Sequence, residues 1–178
     1  MGKTYDHIPE RQQKFISKQR LFFVGTATAD SKINISPKGM DSLRILDNKR
    51  IIWLNLTGSG NETAAHLLEN NRITVMFCAF EGAPLIVRIY GNAKVYHPRD
   101  KSYHNYIGFF PKTPGTRQII EIEVELVQTS CGMGIPFFDF KEERNQLKKW
   151  AEDKGQEKIE EYWTERNMIS LDGKPTGI

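Results

Sequence analysis

Cysteine is scarce in this chain. There are two, Cys78 inside the apolar run RITVMFCAF and Cys131 in the glycine-rich TSCGMG. Two such thiols build neither a disulfide framework nor a zinc ligand pattern, and they suit a reducing compartment. Long hydrophobic runs are missing as well, and nothing approaches the roughly 20 apolar residues of a membrane-spanning helix. Charge of one sign is also missing: 25 basic and 22 acidic residues are interleaved and leave a formal charge of +3. A mixed, nearly neutral chain lacks the basic track that nucleic acids or anionic membranes require. Its start, MGKTYDHIPERQQKF, is charged where a secretion signal would be apolar. Asp6 stands where a myristoylation site needs Ser or Thr. The expectation is a cytoplasmic protein that binds neither nucleic acid nor membrane. His7, His66, His97 and His104 share no metal-ligand spacing, so no metal site is expected among them.

What is present is β-branched and aromatic. LFFVGTAT, INIS, SLRIL, RIIWLNL, RITVMFCAF and PLIVRIYGNAKVYH are bounded by turns such as Ala29-Asp30-Ser31 and Glu81-Gly82-Ala83-Pro84, and they read as strands. RQIIEIEVELVQTS alternates most regularly, with Ile120, Ile122, Val124 and Leu126 on one face and Glu121, Glu123 and Glu125 on the other. The three glutamates are expected to line a solvated sheet face without chemistry of their own. Helices are expected at IPERQQKFISKQR, at 60–70, near 99–107, and in KEERNQLKKWAEDKG and QEKIEEYWTERN. Six or seven closely spaced strands with few intervening helices point to an antiparallel barrel or sandwich. A length of 178 residues fits one domain, 1–178. Trp150, Tyr162 and Trp163 are too apolar to stay in solvent, so the C-terminal third should dock on the barrel or on a second subunit.

Residues 55–71, NLTGSGNETAAHLLENN, hold the segment with the most chemistry to explain. Gly58, Gly60 and Thr63 give G-x-G-x-x-T between an apolar strand and a helix. As a dinucleotide fingerprint this fails, because the third glycine is absent and the surroundings are not a βαβ unit. The first turn of a helix nevertheless offers unpaired N–H groups and a positive dipole end, which suit a phosphate. The competing reading is a capping box, since Ser59 and Glu62 are spaced as S-x-x-E and would consume those donors.

Order along the chain adds a resemblance. FFVGTATADSKINISPKG, RIIWLNLTGSGNETAAHLLENNRITVMFCAF and APLIVRIYGNAKV follow one another as in the flavin-binding split-barrel family that includes pyridoxamine 5'-phosphate oxidase, over roughly residues 10–130. The resemblance implies a mainly β fold, an antiparallel six- or seven-stranded split β-barrel in 10–130, carrying a helical C-terminal extension in 131–178. It also implies FMN at the interface of a homodimer, with the phosphate near the start of the helix after the third strand. Ser36, Pro37, Lys38, Asn55, Thr57, Ser59, Gly60, Asn61, Thr63 and Arg88 are the positions it assigns to the cofactor. Lys38 aligns with a lysine that contacts substrate phosphate in the oxidase; as a plain residue it could equally be a surface lysine.

Two cationic partners of the phosphate are absent. The family's arginine falls near Ile33 or Asn34, and its basic S-R-K turn is replaced by Asn61, Glu62 and Thr63. Arg88, inside an apolar strand, should have a partner, either the ligand or a carboxylate such as Glu62. Ser36-Pro37-Lys38-Gly39 suggests a strand broken so that its backbone faces something other than a ladder partner. His66 is expected to be structural, and Cys131 to be a small buried residue at a turn.

The oxidase's R-L-x-P ending is absent, so a different substrate is expected. The function implied is an FMN-dependent oxidoreductase whose substrate and electron donor the sequence leaves open. One alternative is a carrier or sensor of flavin, haem or deazaflavin on the same barrel. Another is an oligonucleotide-binding barrel stacking bases on Phe22, Phe23, Trp53 and Tyr90.

Overall fold

A computed structural model describes residues 2–178. The apolar alternation resolves into strands β1 (Thr4–Tyr5), β2 (Phe22–Thr26), β3 (Asn34–Lys38), β4 (Leu43–Ile45), β5 (Arg50–Leu56), β6 (Arg72–Cys78), β7 (Ile86–Tyr96) and β8 (Thr116–Ser130). Helices are α1 (Glu10–Ile16), α2 (Glu62–Glu69), α3 (Lys101–Tyr106) and α4 (Gln146–Arg166). Seven strands form one path in the order β3-β2-β6-β7-β8-β5-β4, and the short β1 adds to β8. Every pairing is antiparallel. The sheet curls into a half-barrel whose two end strands, β3 and β4, do not pair with each other. This is the split barrel that the family resemblance implies.

The curl has a local cause. Opposite the middle of β8 the register of β7 shifts between Tyr90 and Gly91. A Cβ on Gly91 would lie 2.1 Å from the carbonyl oxygen of Glu123. Only glycine lets the two backbones approach this closely, so the bulge that bends the sheet is written into the V-R-I-Y-G run.

The inner face of the barrel buries Val24, Ile51, Trp53, Val75, Phe77, Ile89, Ile120 and Ile122. Phe22 meets Trp53 edge-on, 6.3 Å between centroids at 86°. Phe22 and Trp53 are 4 % and 1 % exposed, so neither is free to stack on a nucleic-acid base. The outer side of β5 and β8 is also covered: Ile52, Leu54 and Ile119 pack under Tyr103 and Phe110, around α3. Burial on both faces explains why RIIWLNL is continuously apolar rather than alternating.

The glutamate row of β8 is not uniform. Glu123 and Glu125 are exposed as expected, but Glu121 accepts hydrogen bonds from the hydroxyls of Tyr96 and Tyr106, each 2.8 Å. Burial, then the Glu121 carboxylate, pushes the Tyr96 hydroxyl up to about 12. Glu121 therefore anchors the outer cluster, a role its alternation with neighbours concealed.

The C-terminal helix starts at Gln146, and residues 141–145 are not helical. It is interrupted at Gly155, whose φ of 72° suits glycine, so the two expected segments meet at a break. Ala151, Ile159 and Trp163 form the buried stripe of α4. Trp163 docks on the barrel, donating its indole N–H to Thr57 Oγ1 at 2.8 Å. Trp150 and Tyr162 pack edge-on against each other, 5.3 Å between centroids. No helix among the described residues is long and apolar enough to cross a membrane.

Candidate functional site

β5 delivers the chain to the TGSGN turn at the start of α2. Thr57 is tied down twice to Gly115 O, through its N–H and its hydroxyl, each 2.8 Å. The helix then begins at Glu62 with Asn61 as its N-cap residue, and no side chain caps it. The capping box is therefore not formed. Glu62 is the first helical residue rather than the third, Ser59 is exposed, and the Glu62 carboxylate accepts the N–H of Leu171 instead, at 3.1 Å. The C-terminal segment has captured the glutamate, which leaves the helix start without its side-chain cap.

Asn61 is 2 % exposed, and neither its carboxamide oxygen nor its nitrogen has a partner. Buried polar atoms are normally paired, by protein, water or ligand. Others nearby share the condition: Arg117 Nε, Gln118 Nε2 and His97 Nδ1 are buried and unpartnered. Arg117, at the start of β8, binds the turn directly, donating to Gly60 O at 3.1 Å and to Asn167 Oδ1 at 2.6 Å. Burial lowers its guanidinium to about 10.

Lys38 comes from the other side of the split. Its ammonium lies 5.1 Å from the centre of the Trp53 ring. Burial first, and then the charge of Arg117, bring it down to about 8. Burial likewise lowers His97, with Arg99 and Arg117 acting in the same direction and Asp100 opposing. Among the described residues neither Lys38 nor Arg117 has a carboxylate within ion-pair distance. Arg117, buried without a carboxylate partner beside an unsatisfied carboxamide and an uncapped helix start, makes a candidate site for an anion, and Lys38, half-buried, lies within range of its charge.

The structure brings most of the expected positions to this end of the barrel. Asn55 donates to Gln118 Oε1 at 2.9 Å. Asn34 Nδ2 donates to Thr63 Oγ1 at 3.2 Å, which joins β3 to the first turn of α2, and Ser36 Oγ bonds Asn34 Oδ1 at 3.3 Å. Gly60, Asn61 and Thr63 follow on the turn itself. Pro37 is exposed and paired opposite Phe23. β3 is thus a continuous strand and not a broken one; as an edge strand it tolerates proline, whose missing N–H falls on the unpaired side.

Arg88 stands apart. It lies near the start of β7, opposite Met76 and Gln128, whereas it is the far end of β7, at Tyr96, that pairs with Ile119 near the turn. Its partner is Ser130 Oγ at 3.0 Å, not Glu62. Cys131 is exposed, not buried, because β8 has ended and the chain has left the sheet. Arg117 escaped sequence reasoning because it opens the alternating strand whose glutamates draw the eye. The available signal was an arginine two residues ahead of the apolar Ile119-Ile120 pair.

The outward face of β2, β3, β6 and β7 carries an apolar patch, rimmed by Arg72, Thr74 and Glu125. Phe23, Ile33, Ile35, Met76 and Tyr90 line a shallow groove of about 470 Å³. Ile33 and Ile35 are 76 % and 68 % exposed.

A split antiparallel barrel with a helix-capped, cation-bearing end defines the class. A family model described as Pyridoxamine 5'-phosphate oxidase matches residues 8–131. The chain is 34% identical over 191 residues to the "Pyridoxamine 5'-phosphate oxidase family protein ustO" of Aspergillus flavus, covering 96% of this chain and 76% of that protein. Among solved structures it resembles HupZ of Group A Streptococcus, with TM-score 0.56 and 24% identity over 69% of this chain and 99% of that one. It also resembles the FAD binding protein of Mycobacterium smegmatis, with TM-score 0.50 and 13% identity over 71% and 97% of the two chains. The chain belongs to the pyridoxamine 5'-phosphate oxidase family, whose members commonly bind flavin.

Proposed function

We propose that the protein binds FMN at the TGSGN turn and acts as an FMN-dependent oxidoreductase on a substrate other than pyridoxamine phosphate. The observation that carries this reading is the buried Arg117, without a carboxylate partner, beside the orphaned Asn61 carboxamide, with Lys38 within range of its charge. Asn61, Thr63 and the leading N–H groups of α2 would hold the phosphate. Arg117 would supply the charge that the turn itself lacks, and Lys38 would add a second cation across the split. Bound flavin would supply two-electron redox chemistry, for which the protein needs to provide orientation and hydrogen bonds rather than a catalytic acid or base. The oxidase's R-L-x-P ending is missing here, which supports a different substrate.

We infer further that the protein works as a cytoplasmic homodimer. Support comes from the exposed Ile33 and Ile35 beside Phe23, Met76 and Tyr90, an apolar face too concentrated for a lone surface. Arg88 belongs to the same outward side of β7 and would face the second copy. The test is titration of cofactor-free protein with FMN and with riboflavin, followed by anaerobic mixing with NADH or NADPH. FMN binding that is tighter than riboflavin binding, and bleaching of the flavin band by a reduced nicotinamide, are expected. Failure to bind FMN would refute the assignment, and binding with no reduction by any donor would leave a carrier.

A further inference from the structure

We propose that Glu62, His66 and Asp172 form a site for one divalent transition-metal cation, which fastens the C-terminal segment to the first turns of α2. Glu62 and His66 are four apart on α2 and so share a face of the helix. Asp172 arrives from the turn enclosed by the Ile169–Pro175 bridge. One ligand atom from each of the three lies within 4.8 Å of the others, and among the described residues this is the one group of three that does so.

An independent observation singles out the histidine. His66 is 1 % exposed, yet its Nε2 has no partner. Its Nδ1 is occupied, 3.1 Å from the hydroxyl of Thr26 on β2. An imidazole that donates Nδ1–H to a fixed acceptor presents a lone pair on Nε2, which is how metal-ligating histidines are usually held. No spacing rule points to this site, since the other two ligands are carboxylates, one of them 106 positions further along the chain.

Both carboxylates are oriented from outside. Asp172 accepts from the backbone N–H of Lys32 at 3.0 Å and from its ammonium at 2.7 Å, while Glu62 accepts from Leu171 N. A carboxylate has about four acceptor positions, so each retains some for a metal. One imidazole and two carboxylates suit zinc, cobalt or manganese better than the all-oxygen preference of calcium or magnesium.

The site adjoins the proposed phosphate position but takes no ligand from flavin, and its test needs none. Untagged, chelator-treated full-length protein is titrated with Zn²⁺ by calorimetry and with Co²⁺ by visible absorption. One cation per chain is expected, with a Co²⁺ d–d spectrum that lacks the thiolate band the exposed Cys131 would contribute, and with a rise in Tm. Asp172→Asn and Glu62→Gln should each weaken Zn²⁺ binding by about tenfold or more. Asp172→Asn and Glu62→Gln keep side-chain size and an acceptor oxygen, so they report even if a substitution of the buried His66 prevents folding. Lys32→Met removes the competing ammonium and should bind Zn²⁺ at least as tightly. Absence of saturable binding, or equal affinity in wild type and both carboxylate variants, would overturn the proposal.

Discussion

Lys38 shows how a single residue can be legible in sequence while its condition is not. Its place in S-P-K-G marked it as a candidate, but no spacing rule could reveal that the side chain crosses the split to lie over Trp53, within range of Arg117's charge. A lysine held near 8, against 10.5 in the unfolded chain, sheds its proton earlier when folded. Between these values the unfolded chain binds more protons, so this group makes stability rise with pH through about 8 to 10.5. Anion binding has the opposite sign, since a phosphate favours the charged lysine. FMN affinity should therefore fall as pH rises above about 8, and Lys38→Met should flatten that dependence; titration across pH 7 to 10 checks both. Because Lys38 has no ion-pair partner to orphan, Lys38→Met should leave the cofactor-free protein as stable or more stable in thermal denaturation, while weakening FMN.

At the scale of elements, the strands were legible because β-branched and aromatic residues between turn signals have few other ways to bury themselves. Boundaries at helix starts were not. Ser59 and Glu62 satisfied the local grammar of a capping box, and a tertiary partner more than a hundred residues away, Leu171 N, took the glutamate. Gly91 is the converse case, a local letter with a sheet-wide consequence. Gly91→Ala must push Cβ into the Glu123 carbonyl, and the expected loss of stability is about 1–3 kcal/mol or more, as for overpacking in a tight core; urea denaturation measures it. Trp163→Phe keeps the aromatic bulk of α4 but removes the bond to Thr57 Oγ1. A loss of about 0.5–1.5 kcal/mol is expected from the same assay, together with a looser TGSGN turn that shows as faster amide exchange around Thr57.

For the whole molecule, the curled sheet leaves one face apolar and one end cationic, and the two features ask for different partners. The groove of Phe23, Ile35, Met76 and Tyr90 is the face the proposed homodimer would use; if it does, Ile35→Lys should convert a dimer to a monomer in light scattering. The cationic end is where the proposed anion would sit. That end was half legible: Asn61, Thr63 and Lys38 came from the sequence by motif and resemblance. Arg117 came only from the fold, because β8 starts beside the turn that ends β5. The turn first read as lacking a cation thus borrows one from a distant strand, and its helix start carries no side-chain cap.

The most direct measurement is a paired titration of wild type and Arg117→Gln with FMN and riboflavin. If the phosphate sits at the turn, Arg117→Gln should weaken FMN about 10- to 100-fold, the range of a charge-assisted hydrogen bond, and leave riboflavin nearly unchanged. Equal weakening of both ligands, or none for either, would contradict a phosphate at the start of α2.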